Sequence, residues 1–158
     1  MTILSIFEAL ENGPIGVFMK DKPATFASVE AVHLLALAVL GGAMFASDLR
    51  LLNVVLRDVP SKVVTDAAHK WFKWALIVLL VTGFFMLCGV ATKCYHNFYY
   101  WTKMTALASG ILFAYLIRKP LLAGNHADLR PLTLKLVGLA SILIWTIVAA
   151  SGRWIGFS

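Results

Sequence analysis

Apolar residues run almost unbroken through four stretches of the chain, and polar residues gather between them. The stretches, 28–47, 71–91, 99–117 and 134–157, are each close to the roughly 20 residues a helix needs to cross a hydrocarbon core about 30 Å thick. In lipid every backbone N–H and C=O must be satisfied within the segment, so such runs are predicted to be transmembrane helices. The third is predicted to stop at Arg118-Lys119-Pro120, a charged pair followed by a residue that breaks helices, and the fourth follows Asp128-Leu129-Arg130-Pro131. Short connections make sequence neighbours antiparallel neighbours. The expected fold is all-α: one domain, residues 1–158, forming an integral membrane four-helix bundle. Ahead of it, Ile3, Phe7 and Leu10 recur at helical spacing opposite Glu8 and Glu11, up to Asn12-Gly13-Pro14. That pattern predicts a short amphipathic helix lying in the membrane interface. The opening residues lack the basic start and small-residue cleavage site of a signal peptide and are read as part of the mature chain.

Composition agrees with this pattern, since 60% of the 158 residues are hydrophobic and only 14% charged, with a mean hydropathy of +0.82. A net charge of +6 raises the question of nucleic acid, but the basic residues sit at helix ends and not among exposed aromatics on a soluble face, which argues against it. They set orientation instead. Arg50, Arg57, Lys62, Lys70, Lys73, Arg118, Lys119, Arg130 and Lys135 fall in or beside the first and third connections, so those loops are expected inside and both termini outside. Tyr95, Phe98, Tyr99, Tyr100 and Trp101 mark the outer interface, and Trp71 and Trp74 the inner one. Small residues such as Gly41, Gly42, Gly110, Gly138 and Gly152 suit close helix packing, or a flat cofactor lying against a glycine. Cys88 and Cys94 are too few for a disulfide framework, and no C-x-x-C-H stretch exists for covalent haem attachment.

Ionisable side chains in hydrocarbon are costly, about 2.5–3.5 kcal/mol each at a helix centre on insertion scales, so each one asks for a reason. Glu30, His33, Lys103 and Arg153 lie within the apolar spans, and the last three come from different helices at similar depth in the outer half. An imidazole is the commonest protein ligand for a metal and a frequent axial ligand of haem iron. Lys103 and Arg153 would then neutralise the haem propionates, with Glu30 as their one carboxylate neighbour. The alternative is structural: a His33–Glu30 hydrogen bond across one helix face, with both cations snorkelling to headgroups. His96, at the mouth of the third span, and Met86, near the depth of His33, are the candidates for a second axial ligand. On the inner side, His69 and His126 would frame a second haem, or are solvated loop histidines. Asp48 and Arg50 read as a structural ion pair with loop partners.

The residues resemble a family of small bacterial four-helix membrane proteins of unknown function. The resemblance covers nearly the whole chain. It rests on Glu30-Ala31-Val32-His33 opening the first span and Ser47-Asp48-Leu49-Arg50-Leu51-Leu52 closing it. It continues through Trp71 with Val81-Thr82-Gly83, Asn97 with Lys103, and Ser151-Gly152-Arg153. The family's members look like b-type cytochromes without an assigned reaction. Where many similar sequences carry an aromatic-His pair at the end of the third span, this chain has Ile117-Arg118.

Together these features lead to the expectation of a non-covalent haem b protein of the bacterial cytoplasmic membrane. It would carry one haem, or two if the inner histidines serve, and transfer electrons rather than catalyse acid-base chemistry, with His33 and His96 as metal ligands. A quinone or redox protein would be its partner, and it would work as a homo-oligomer or as a subunit of a larger membrane complex. The other readings are a copper-handling protein using Met86, Cys88, Met104 and His33, whose soft sulfur atoms favour monovalent copper, and a cofactor-free anchoring subunit.

Overall fold

A computed structural model describes residues 2–124 and 126–157. Among them the regular structure is entirely helical. Helix α1 (Ile3–Asn12) starts where the Thr2 hydroxyl accepts from the Ser5 amide and ends at Gly13, as the amphipathic pattern predicts. Helix α2 (Pro14–Asp21), which the pattern did not suggest, follows at once with proline at its first position, where a missing N–H costs nothing. The turn between the two is tight: a Cβ at Gly16 would collide with the Glu11 carbonyl. Phe7 and Leu10 of α1 pack against Ala91, Tyr95 and Tyr100, and Met19 of α2 is buried beside Gly89.

Three helices are long and apolar enough to cross a membrane: α3 (Pro23–Leu51), α4 (Ser61–Gly89) and, at the end of the chain, α8 (Pro131–Ile155). Each extends beyond the span expected for it at the end bearing the basic connections, because the hydropathic signal fades before the helical backbone does. Between α4 and α8 lie α5 (Ala91–Tyr95), α6 (Phe98–Leu112) and α7 (Lys119–Leu121). Asn97 caps α6 by accepting from the Tyr99 and Tyr100 amides. Helix α6 passes without a break into a π-helical segment, Phe113–Arg118, and through it into α7. The charged pair and Pro120 therefore do not end the third helix as expected. The wider π turn carries the helical backbone past them and changes which way Arg118 faces.

The helices pack in antiparallel pairs. His33 of α3 meets Thr82 and Gly83 of α4, and farther along Met44 shares a core with Phe72 and Leu76. Lys103 of α6 lies across Gly152 of α8, and Gly110 meets Trp145. The two pairs are joined where α3 crosses α8, with Gly138 set against the Asp48 carbonyl. The central core is Leu40, Met44, Phe72, Leu76, Trp145 and Val148. Gly41 and Gly42 pack against nothing in the described chain, so the close-packing reading of the small residues holds for Gly110, Gly138 and Gly152 but not for this pair.

Much apolar surface faces outward. Leu34, Leu35, Leu80, Phe84, Leu139 and Leu143 are exposed, while Ser47, Asp48 and Ser141 are buried beside the apolar core. An apolar surface of this extent suits a lipid surround, and this is a membrane protein. Trp71 and Trp74 are exposed near the start of α4, as an interfacial belt requires.

Helices α1 and α2 are tied down by one carboxylate. Glu11 lies 2.6 Å from Lys20 Nζ and accepts from the Thr92 amide in the first turn of α5. The Lys20 ammonium and the Thr92 donors hold its carboxyl down at about 2, against an ordinary 4.5. A carboxyl pKa lowered by folding contributes stability that is complete above the ordinary value and is lost as pH falls toward about 2. At neutral pH, Glu11→Gln is expected to raise deuterium uptake across residues 3–21 while leaving α8 unchanged. Equal uptake in both proteins would contradict this role for Glu11.

Candidate functional site

Two layers of polar side chains sit inside the helices. The outer layer is built on His33. Its Nδ1 lies 2.8 Å from Thr82 Oγ1, and that hydroxyl donates its own proton to the Val78 carbonyl at 2.6 Å. With its proton committed, the Thr82 oxygen can only accept, so the imidazole must be the donor. His33 is thereby held as the Nδ1–H tautomer, and the lone pair of Nε2 is left available. A Cβ at position 83 would come within 3.3 Å of His33 Cε1, so Gly83 leaves room for the ring beside the threonine that anchors it. The Glu30 partner considered for His33 is not the one it has: Glu30 is exposed, and His33 bonds across to α4.

Lys103 stands within electrostatic reach of this imidazole, with its stem against Gly152. A Cβ there would lie 3.3 Å from Lys103 Nζ. Arg153, by contrast, is exposed and stacks its guanidinium over the Phe157 ring at 4.5 Å, the geometry of a snorkelling cation. Met86 is half-buried one helical turn beyond Thr82. His96 is exposed in the turn before α6, with its ring edge-on to Tyr95. Of the soft copper set, Cys88 is fully buried, whereas Met104 packs into a separate cluster with Phe7, Cys94 and Tyr100. Among the described residues no three His, Cys, Asp or Glu side chains gather as a metal cluster would.

The inner layer is one that sequence reasoning did not assemble. Arg118 Nη2 donates to Asp48 Oδ1 and to Ser47 Oγ, both at 2.7 Å, and Nη1 points at Met44 Sδ at 3.0 Å. Asp48 is 1% exposed and Arg118 7%, so this is a buried ion pair. Arg118 is not a helix-end charge in a loop, and Asp48 does not pair with the loop. Arg50 alone reaches the loop, donating to the carbonyls of Val59 and Arg57. Those bonds brace a connection in which Asn53 and Leu56 adopt positive φ. The serines Ser47 and Ser141, each polar within an apolar run, were the available signal for this layer.

The inner histidines have structural partners. In His126, Nδ1 lies 2.8 Å from Ser61 Oγ and Nε2 3.1 Å from the Leu122 carbonyl, so both ring nitrogens are engaged. The bonds fasten the connection before α8 to the start of α4. His69 stacks on Phe72 and meets Tyr115 edge-on.

A model of a family of unknown function, DUF6644, matches residues 6–158. No curated protein and no solved structure matches the chain.

Breaking a buried ion pair leaves an uncompensated charge, which typically costs about 3–5 kcal/mol, whereas replacing both partners with neutral groups costs far less. Asp48→Ala is therefore expected to lower thermal stability in detergent sharply, and Asp48→Asn combined with Arg118→Met to recover most of the loss. A double variant as unstable as Asp48→Ala would refute the pairing.

Proposed function

The chain belongs to DUF6644, a family of unknown function, and from that premise we propose that it is a four-span haem b protein of the bacterial cytoplasmic membrane that carries electrons. In this reading α6, the π segment and α7 together make the fourth span beside α3, α4 and α8. The basic connections face the cytoplasm and both termini the periplasm.

The observation that carries the proposal is the 2.8 Å contact between His33 Nδ1 and Thr82 Oγ1. A histidine that ligates a metal through one nitrogen nearly always donates its other N–H to a fixed acceptor, which orients the ring and raises its basicity. Thr82 Oγ1 is that acceptor here, because its own proton is held by Val78. Gly83 supports the fit by leaving the ring its space, and Lys103 supplies a cation at the same level, as a propionate carboxylate requires. Haem, when bound, supplies a reversible one-electron change at iron. The protein's part is to orient the imidazole, to neutralise the carboxylates and to exclude water behind the apolar faces of α3 and α4. Arg153, at the outer rim, is placed to meet a propionate only by leaving Phe157. His96 and Met86 are the candidates for the second axial position, and the spin state of the reduced haem tells whether either reaches iron. With so little of the chain outside the helices, electrons would pass to and from a quinone or a partner subunit.

The test is optical. Protein purified from haem-supplemented cells is expected to show a Soret band that shifts on dithionite reduction, and His33→Ala to lose it. Thr82→Val is expected to keep the band but bind haem about 10–100-fold more weakly, the usual cost of losing the group that orients a ligand. A colourless wild-type protein, or a His33→Ala spectrum identical to wild type, would overturn the proposal.

A further inference from the structure

The inner layer contains more hydrogen-bonding capacity than its protein groups use. Among the described residues, Asp48 Oδ2, Arg118 Nε, Ser141 Oγ and Trp145 Nε1 are all buried without a hydrogen-bond partner. They belong to side chains only 0–7% exposed. Asp48 and Arg118 are ion-paired, Ser141 faces the Asp48 carboxylate, and Trp145 follows Ser141 by one turn of α8. An unpaired buried polar group is costly, so four of them would offset much of what this ion pair contributes.

The four atoms are also complementary. Arg118 Nε and Trp145 Nε1 are donors only, Asp48 Oδ2 is an acceptor, and Ser141 Oγ is both. Water, which donates twice and accepts twice, is the smallest ligand that serves all of them, and buried waters typically make about three bonds to such groups. We propose that the Asp48–Arg118–Ser141–Trp145 cluster is a hydration site inside the membrane, binding one or more water molecules against the ion pair.

The surroundings agree with that occupant. Phe72 of α4 and Met44 of α3 close the outer side of the cluster. On its inner side, a recess of about 490 Å³ opens at the basic end of the helices between Arg50, Asn53, Ser61 and Lys135. Its wall reaches Leu51, one turn from Asp48 along α3, and Gly138, one turn before Ser141 on α8, packs against the Asp48 carbonyl. The π segment turns Arg118 into the layer instead of toward the headgroups. This proposal is independent of haem at His33.

Radiolytic hydroxyl labelling in ¹⁸O-water tests it, because buried side chains are oxidised in place only when water is bound beside them. Met44 and Trp145 are sensitive reporters within the cluster. Met19, 2% exposed and packed against Gly89 and Phe26, is a buried control from outside it. In the full-length protein in nanodiscs, Met44 and Trp145 are expected to take up label faster than Met19, because bound water lies beside them. Ser141→Val, which replaces the hydroxyl and fills its space, is expected to bring Met44 down to the Met19 rate. Wild-type rates at Met44 and Trp145 no higher than at Met19 would overturn the proposal, and that comparison stands even if the valine variant does not fold. A Met44 rate unchanged in a folded Ser141→Val protein would overturn it as well.

Discussion

A charge in hydrocarbon is best kept beside an opposite charge, and in this chain Asp48 and Arg118 meet that condition. The pair joins α3 to the helix that continues from α6, while Gly138 brings α8 against the same turn of α3. Helices that could otherwise slide along one another in lipid are thereby given a register. Apolar packing among Leu40, Phe72 and Trp145 favours association in general, but lipid competes for such contacts on nearly equal terms. A polar pair has no comparable alternative in the bilayer.

Once that register is set, the outer layer follows from it. With α3 antiparallel to α4, His33 comes opposite Thr82 and Gly83, and with α6 antiparallel to α8, Lys103 comes opposite Gly152. In both cases a long polar side chain lies against a glycine, so that the helices approach without expelling it. The two layers differ in character. The inner one balances its charges within the protein, whereas the outer one holds a cation and an imidazole nitrogen with no carboxylate bonded to either among the described residues. That imbalance is what a ligand bearing both a metal and carboxylates would correct.

The apolar runs made three of the four expected spans and the all-helical class legible, because a helix satisfies its own backbone in lipid. Gly13-Pro14 marked the end of α1 for an equally local reason. Arg118 was misjudged because a charged pair followed by proline normally signals an exit from the membrane, and no residue in Phe113–Arg118 announces a π turn. Asp48 was assigned to the loop for lack of a visible partner, since its partner stands 70 residues away. His33 could be singled out by its cost in lipid, but its tautomer could not, because that depends on where the Thr82 proton goes. His126 looked like a solvated loop histidine or a ligand and is instead a fastening, a role that exists only once Ser61 and Leu122 are brought to it. Gly41 and Gly42 show the opposite limit: they suggested a packing surface, but nothing in the described chain packs on them.

The claim on which the functional account rests is that the fold presets His33 as a donor through Nδ1, with Nε2 free to bind. Solid-state NMR of ¹⁵N-histidine-labelled protein in lipid bilayers, prepared without haem, reads this directly. The expected spectrum assigns His33 a protonated Nδ1 bonded to Thr82 and an unprotonated Nε2. A His33 signal with its proton on Nε2, or an imidazolium at neutral pH, would contradict the account.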